Sequence, residues 1–349
     1  MNNRFIRRTA ALLVVGAWTM ACSKGAEKAG DTAGVAPAAV PAAGGKIIIA
    51  VIGKSSDNPV FLAARTGAEE TAKKISDSTK VPVEIMWLTP AKEDAEVQAQ
   101  RIRQAVNDGA AAVLLSASDA GKVTGAINDA VDRGVPVMMF DSDAPASKRF
   151  AFYGADDAKT GAGVMSELST LMGGKGKVAI LAGNQNAPNL QARVKGVKDE
   201  AAKHPGISIV GVFNHNEAPQ DAAAEVVRVN NAYPEITGWA MIGGWPLFTQ
   251  TLLTDLNPAK MKVVSVDALP AELAYVEKGI APVLLAQPVY LWGSIGVQTL
   301  FAKVHDKKDP AQPIMTMDLI RVTKANLGEY SRQLKAWGFT GIDEKYLKM

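Results

Sequence analysis

The chain has 349 residues, with 38 Lys and Arg against 35 Asp and Glu and a single cysteine. That length allows one large or two medium domains, and one cysteine excludes an internal disulfide framework. The surplus positive charge is accounted for by Arg4, Arg7 and Arg8 near the N-terminus, so residues 23–349 are formally balanced and carry no basic footprint for nucleic acid.

Those arginines precede residues 9–21, a mostly small and apolar run that falls short of the roughly 20 residues of a membrane span. Residues 1–22 read as an export signal. Cys22 follows Thr19-Met20-Ala21, an arrangement that resembles the lipobox of bacterial lipoproteins, in which the cysteine is lipidated. Residues 23–45 are Ala, Gly, Pro, Lys, Asp and Thr with almost no large apolar side chain, too little to offset ordering entropy, and read as a flexible tether.

From Lys46 the pattern changes to alternating apolar runs and helical stripes. Residues 46–52 form a β-branched strand. Pro59 opens a helix with Phe61, Ala64, Ala68 and Ala72 on one stripe. Strand 81–87, helix 94–108 ended by Gly109, strand 111–115 and helix 122–133 ended by Gly134 follow. Strand 135–140 runs directly into Asp141-Ser142-Asp143, and 150–153 is a shorter strand. The second half repeats the scheme: helix 158–172, a Gly-rich turn at 173–176, strand 177–181, helix 190–203, strand 207–213, helix 220–232, strand 238–242, helix 246–256 and strand 261–266. Helix 271–278, strand 283–286, helix 291–305 and one extended run at 316–322 complete it. Strands alternating with helices predict an α/β chain with parallel sheets. About a dozen strands predict two doubly wound lobes split near Ala155.

Signals for catalysis are weak. The three histidines, His204, His215 and His305, have no metal-ligand spacing, no nucleophile elbow is present, and the Gly-rich turn lacks the Ser or Thr of a phosphate loop. Asp141/Asp143 and Asp156-Asp157 fit turn and capping chemistry better than a metal site. We therefore expect no enzyme, no cofactor and no metal. Planar polar side chains recur instead at strand ends: Asn58, Asp141, Arg193, Asp267 and Gln287. Each can make paired hydrogen bonds in one plane. Such side chains suit the vicinal hydroxyls of a sugar, whose C–H faces suit Phe61, Trp87, Trp245 or Trp292.

With those residues in place, the chain from about 46 to 322 resembles a type I periplasmic binding protein of the ribose/galactose-binding kind. The resemblance rests on Asp57-Asn58-Pro59-Val60-Phe61, Gly134-Val135-Pro136-Val137 leading to Asp141, Arg193-Val194-Lys195-Gly196, Val263-Val264-Ser265-Val266-Asp267 and Ala286-Gln287-Pro288. It implies two lobes joined by a three-strand hinge and closing over a ligand. The N-lobe would hold residues 46–155 and about 288–318, the C-lobe 156–287 and about 319–349. Asn58 and Phe61 would line the N-lobe side. Asp141 and Asp267 would accept from hydroxyls, Arg193 would donate, and Gln287 would touch ligand beside a crossover. Ser142 stands where ribose binders carry Arg, Val60 and Val266 replace aromatic rings, and Gly243-Gly244 replaces Asn-Asp, with Trp245 available to rebuild the wall. The function implied is delivery of a sugar or polyol to an ABC permease by a monomeric protein anchored through Cys22 in the periplasm or cell envelope. Two other readings keep the fold: a binding protein presenting its ligand to a chemoreceptor or sensor kinase, and a binder of a non-sugar small molecule.

Overall fold

A computed structural model describes residues 45–349; the expected export signal, Cys22 and the expected tether up to residue 44 lie outside the described residues. The first half runs β1 (Ile47–Ile52), α1 (Pro59–Thr79), β2 (Val83–Trp87), α2 (Ala95–Asn107), β3 (Ala112–Leu115), α3 (Ala120–Asp132), β4 (Val137–Phe140) and β5 (Ala151–Ala155). The second runs α4 (Asp157–Leu171), β6 (Lys175–Ala182), α5 (Pro188–Ala201), β7 (Gly206–Asn214), α6 (Pro219–Ala232), β8 (Gly238–Met241), β9 (Lys262–Val266), α7 (Leu273–Glu277) and β10 (Val283–Ala286). The chain then returns through α8 (Val289–Val304) and β11 (Ile314–Met317), and finishes with β12 (Ile320–Val322), α9 (Leu327–Ala336) and α10 (Glu344–Leu347).

Two six-stranded sheets result, ordered β2-β1-β3-β4-β5-β11 and β7-β6-β8-β9-β10-β12. Every pairing is parallel except β12 on β10. Strands such as β3 and β4 are buried along their whole length, as expected of a sheet covered on both faces. In the N-lobe, α1 and α8 cover one face over a core of Ile49, Leu114, Phe140 and Trp292, and α2 and α3 cover the other over Ile52, Ile102, Leu115 and Ile127. The C-lobe has one continuous core around Leu181, Trp239, Val264 and Leu284. The chain passes between sheets at Asp156, at Gln287-Pro288 and at Asp318-Leu319.

The helices start where side chains satisfy their first amides. Asn58 Oδ1 accepts from the Val60 amide at 3.2 Å, with Pro59 in the first turn. Asp94, Asp119 and Asp156 cap α2, α3 and α4 in the same way. In each lobe one helix pair meets through glycines. A Cβ on Gly67 would stand 2.0 Å from the Tyr290 carbonyl oxygen, and one on Gly293 would stand 1.8 Å from that of Ala64. In the C-lobe, a Cβ on Gly161 would be 1.9 Å from the Arg193 carbonyl oxygen and one on Gly196 2.0 Å from that of Ala158. The backbones of α1 and α8, and of α4 and α5, therefore touch.

Two expected elements differ. Residues 246–256 are not a helix: a 3-10 turn covers Trp245–Leu247, and turns follow. The Tyr275 hydroxyl donates to the carbonyls of Thr249 and Leu252, and Leu253 takes a left-handed φ of 53°, which breaks the helical repeat in this Thr-rich segment. The single extended run at 316–322 is two strands in different sheets, β11 and β12, separated by the third crossover.

Gly67→Ala or Gly161→Ala should lower unfolding stability by about 1–3 kcal/mol, because backbone rather than a flexible side chain must yield. Gly125→Ala, in α3 with nothing within 4 Å, should be neutral or stabilising by up to about 1 kcal/mol. Urea unfolding of the three variants checks this contrast.

Candidate functional site

In open parallel sheets the ligand crevice forms beyond the carboxyl ends of the strands. Here those ends face each other across the two lobes. β4 and β9 occupy equivalent places in their sheets, and each ends in an aspartate with left-handed backbone, Asp141 at φ 55° and Asp267 at φ 74°. That conformation is uncommon outside glycine, Asn and Asp, and it turns each carboxylate out of its strand.

Arg193, on α5, is the centre of the bonding. Its Nε donates to Asp157 Oδ1 at 2.8 Å, Nη1 to the Ile242 carbonyl at 3.1 Å and Nη2 to Gln287 Oε1 at 2.8 Å. The same Nη2 stands 3.9 Å from Asp141 Oδ1, in the other lobe. Gln287 Nε2 passes the chain on to Asp267 Oδ1 at 2.9 Å, and Asp267 Oδ2 accepts from the Gly244 amide at 3.2 Å. Asp141 accepts from Ser116 Oγ at 2.8 Å and, across the lobes, from Asn189 Nδ2 at 3.0 Å. Burial opposes the charge of Arg193, but Asp157, Asp141 and Asp267 outweigh it and hold the guanidinium ionised. Burial pushes Asp157 up to about 6 against the pull of Arg193, and it raises Asp267 as well.

A second cation follows β1. Lys54 is 3 % exposed. Its Nζ is 3.6 Å from Glu217 of the C-lobe and 3.9 Å from Glu93 of the N-lobe. Burial works against its charge, but Glu217, Glu93 and Asp141 reverse the effect and raise its pKa. Glu93 is raised by burial, with Lys54 opposing. Asn184, after β6, donates to Glu93 at 2.9 Å and to the Ser118 carbonyl at 3.3 Å, a further bridge between lobes.

Next to these groups lies a cavity of about 860 Å³, lined from both lobes by the loops after β1, β2, β6 and β7. It does not coincide with the Arg193 network: Asn58, Phe61, Glu93, Asn184 and Glu217 line it, whereas Asp141, Arg193, Asp267 and Gln287 do not. The latter four instead bond to one another or to intervening side chains.

Of the residues singled out from the sequence, Asp141, Arg193, Asp267 and Gln287 thus converge. Asn58 caps α1 at the cavity edge. Phe61 is 1 % exposed, stacks on Trp292 at 6.1 Å and meets Phe140 edge-on at 6.2 Å, so much of its ring serves the N-lobe core. Ser142 is buried with its hydroxyl unpartnered. Trp245 is 3 % exposed and meets His215, a cavity residue, edge-on at 4.7 Å. The glycines before it have a use: a Cβ on Gly243 would strike the Trp245 ring at 2.5 Å, and Gly244 supplies the amide that Asp267 accepts. Trp87 sits on edge strand β2 with Arg65 over its ring at 5.4 Å. Cys22 lies outside the described residues. Among the described residues no group of three His, Cys, Asp or Glu is placed to hold a metal ion. Sequence reasoning missed Lys54, Glu93, Ser116, Asn184, Asn189 and Glu217; all stand after a strand or at a helix start, which was the available signal.

Comparison with known proteins agrees with this architecture. The periplasmic binding protein domain family matches residues 49–308. The chain is 27 % identical over 192 residues to a D-apiose import binding protein of Actinobacillus succinogenes, covering 55 % of this chain and 60 % of that one. It is 24 % identical to a xylitol-binding protein of Mycolicibacterium smegmatis, covering 69 % and 70 %. A solved solute-binding protein of an ABC transporter from Burkholderia graminis, in complex with D-arabinose, superposes with a TM-score of 0.74 at 25 % identity, covering 81 % of this chain and 97 % of that one.

His215 offers a test of the site's electrostatics. Its Nδ1 accepts from the Glu217 amide at 2.9 Å, and burial pushes the imidazole down to about 4 from 6.5. The unfolded chain therefore takes up a proton below pH 6.5 that the folded state refuses until about pH 4, so this contribution to stability is lost as pH falls across that window. Asp157, raised to about 6, contributes the opposite slope, so the comparison must be with a variant. His215→Asn should lose less stability than the parent between pH 6.5 and 4, by on the order of 2 kcal/mol. Equal losses in urea unfolding would show that His215 does not make this contribution.

Proposed function

We propose that this chain, which belongs to the periplasmic binding protein family, binds a sugar or sugar-like polyol outside the cytoplasm and hands it to an ABC importer. The observation that carries this reading is a set of planar polar side chains in two hydrogen-bonded runs, Asn189 with Asp141 and Arg193 with Gln287 and Asp267, that meet across the interlobe cleft where Arg193 stands 3.9 Å from Asp141. Carboxylate, carboxamide and guanidinium groups match hydroxyls that both donate and accept. The relatives named for apiose and xylitol, and the arabinose-bound neighbour, support the same solute class.

The mechanism is lobe closure. A solute that contacts both lobes stabilises the closed arrangement relative to the open one by its differential affinity and shifts the population. Asp141 accepts from solute hydroxyls on the N-lobe side, Arg193 and Asp267 complete the bonds on the C-lobe side, and Gln287 couples solute to the second crossover. Asn58 and Phe61 form the N-lobe wall, and Trp245 with Ser142 shapes the pocket where other members place a ring and an Arg. The family is one of solute-binding proteins, and no covalent step is involved. In the full reading the chain acts as a monomer tethered to the membrane through lipidated Cys22, with residues 23–45 giving the reach to meet a permease.

A thermal-shift screen against sugars and polyols tests this. A solute at 100 times its Kd should add about 2.7 kcal/mol of stability. Removing the Arg193 side chain would leave buried carboxylates uncompensated and cost about 3–5 kcal/mol, so Asp141→Asn and Arg193→Lys are the informative variants. Both should remain folded and lose the shift. A shift given by amino acids but by no sugar or polyol would overturn the solute class. Separately, Cys22→Ser should move the protein from the membrane fraction to the soluble one.

A further inference from the structure

The cavity adjoining the Arg193 network is too large and too polar for the part assigned to it so far. Its volume of about 860 Å³ is near the top of the roughly 300–1,000 Å³ range of small-molecule pockets, and well beyond what one sugar ring with its hydroxyls fills. Seven of its lining side chains are carboxamides, among them Asn58, Asn184, Asn214 and Asn216. Each carboxamide offers both a donor and an acceptor, as sugar hydroxyls require. Asp57, Glu93, Glu217 and Asp221 line it against the single cation Lys92, so an anionic solute is disfavoured and a neutral polyhydroxylated one is not.

Two features show that the cavity is built. Glu217 is held in a left-handed conformation, φ 59°. Its amide donates to His215 Nδ1, and its Oε1 accepts from the Asn184 amide at 2.9 Å. Gly183 leaves the room, because a Cβ there would stand 2.6 Å from Glu217 Cγ. An acidic residue locked in a strained conformation beside a cavity marks a position that the surroundings over-determine. The second feature is Lys54. Its buried ammonium sits 3.6 Å from Glu217 and 3.9 Å from Glu93, beyond hydrogen-bond distance, so neither carboxylate satisfies its N–H donors. Lys54 lies behind the cavity wall, and Glu93 and Glu217, which line the cavity, are the groups to which a solute hydroxyl donates. Nothing in the Arg193 network uses this triad.

We propose that the cavity is a second subsite and that the solute carries further hydroxylated units: a disaccharide or larger glycoside, with one unit closed in at Asp141 and Arg193 and the rest in the cavity against Glu93 and Glu217. This rests on the sugar-binding reading above and extends it. Glu93 belongs to one lobe and Glu217 to the other, so the units in the cavity also contact both halves and add to closure.

The test is calorimetric titration of the full-length protein with glucose, galactose, xylose and arabinose, and with maltose, cellobiose, lactose and xylobiose. At least one disaccharide should bind about tenfold or more tightly than its own constituent sugars. Glu217→Gln keeps the acceptor for the Asn184 amide but removes the charge facing Lys54. Asn216→Trp, at an exposed position, fills the cavity without touching the core. Each should weaken the disaccharide about ten- to hundredfold while leaving the constituent monosaccharide nearly unchanged. A monosaccharide bound as tightly as every disaccharide, or equal loss of both in the variants, overturns the second subsite and leaves the sugar-binding reading standing. Binding of no carbohydrate overturns both.

Discussion

The arrangement depends on one buried guanidinium. Arg193 is 3 % exposed, where an unpaired charge would cost several kcal/mol. The partners that offset this are distributed across the joints of the molecule. Asp157 begins α4, immediately after the first crossover, Gln287 forms the second crossover, and Asp141 belongs to the opposite lobe. One side chain is thereby tied to two of the three connections and faces the opposite lobe. Its location is set in turn by the contact of α4 with α5, where Gly161 meets the Arg193 carbonyl and Gly196 meets that of Ala158. Backbones in contact leave α5 little freedom to slide, so the guanidinium is positioned from its own main chain outward.

The two lobes solve the same problem with different residues. β1 is followed by Gly53-Lys54 and β6 by Gly183-Asn184; β4 ends at Asp141 and β9 at Asp267. The aspartates keep the same left-handed turn in both halves, because a carboxylate at that place must point beyond the sheet edge. The residues after the first strand diverge, one a cation and one an amide, yet both face Glu93, at 3.9 Å and 2.9 Å. Equivalent backbone positions thus converge on one carboxylate from opposite sides, and the asymmetry of the cleft arises from side chains placed on a nearly symmetric frame.

Much of this was readable in the sequence. Continuous apolar runs located the parallel strands, Pro59 and the Asp and Asn caps located helix starts, and strand-end polarity picked out Asp141, Arg193, Asp267 and Gln287. The failures have physical causes. Lys54 and Glu217 look like solvated loop charges, and only the apposition of two lobes, more than 160 residues apart in sequence, buries them. Phe61 sits on an apolar stripe, and Trp292 is offered only as a ring for the sugar, but sequence alone could not say how far both rings serve the core, where they stack at 6.1 Å. The helix expected at 246–256 is lost to a tertiary contact, the Tyr275 hydroxyl on the carbonyls of Thr249 and Leu252, which local propensity cannot anticipate.

The charge balance of the cleft narrows the chemistry it can serve. Asp141, Asp157, Asp267, Glu93 and Glu217 outnumber the two buried cations set among them, Lys54 and Arg193. Burial raises Asp157, Asp267 and Glu93, a mark of how poorly the cleft tolerates further negative charge. An anion entering here would meet unfavourable potential and would have to displace carboxylates already paired with Arg193 and Lys54. A neutral solute with several hydroxyls need only exchange partners with the side chains that now satisfy one another, Asn189 on Asp141 and Gln287 on Arg193. Exchange of hydrogen bonds with little net change in charge keeps the cost of opening the cleft small.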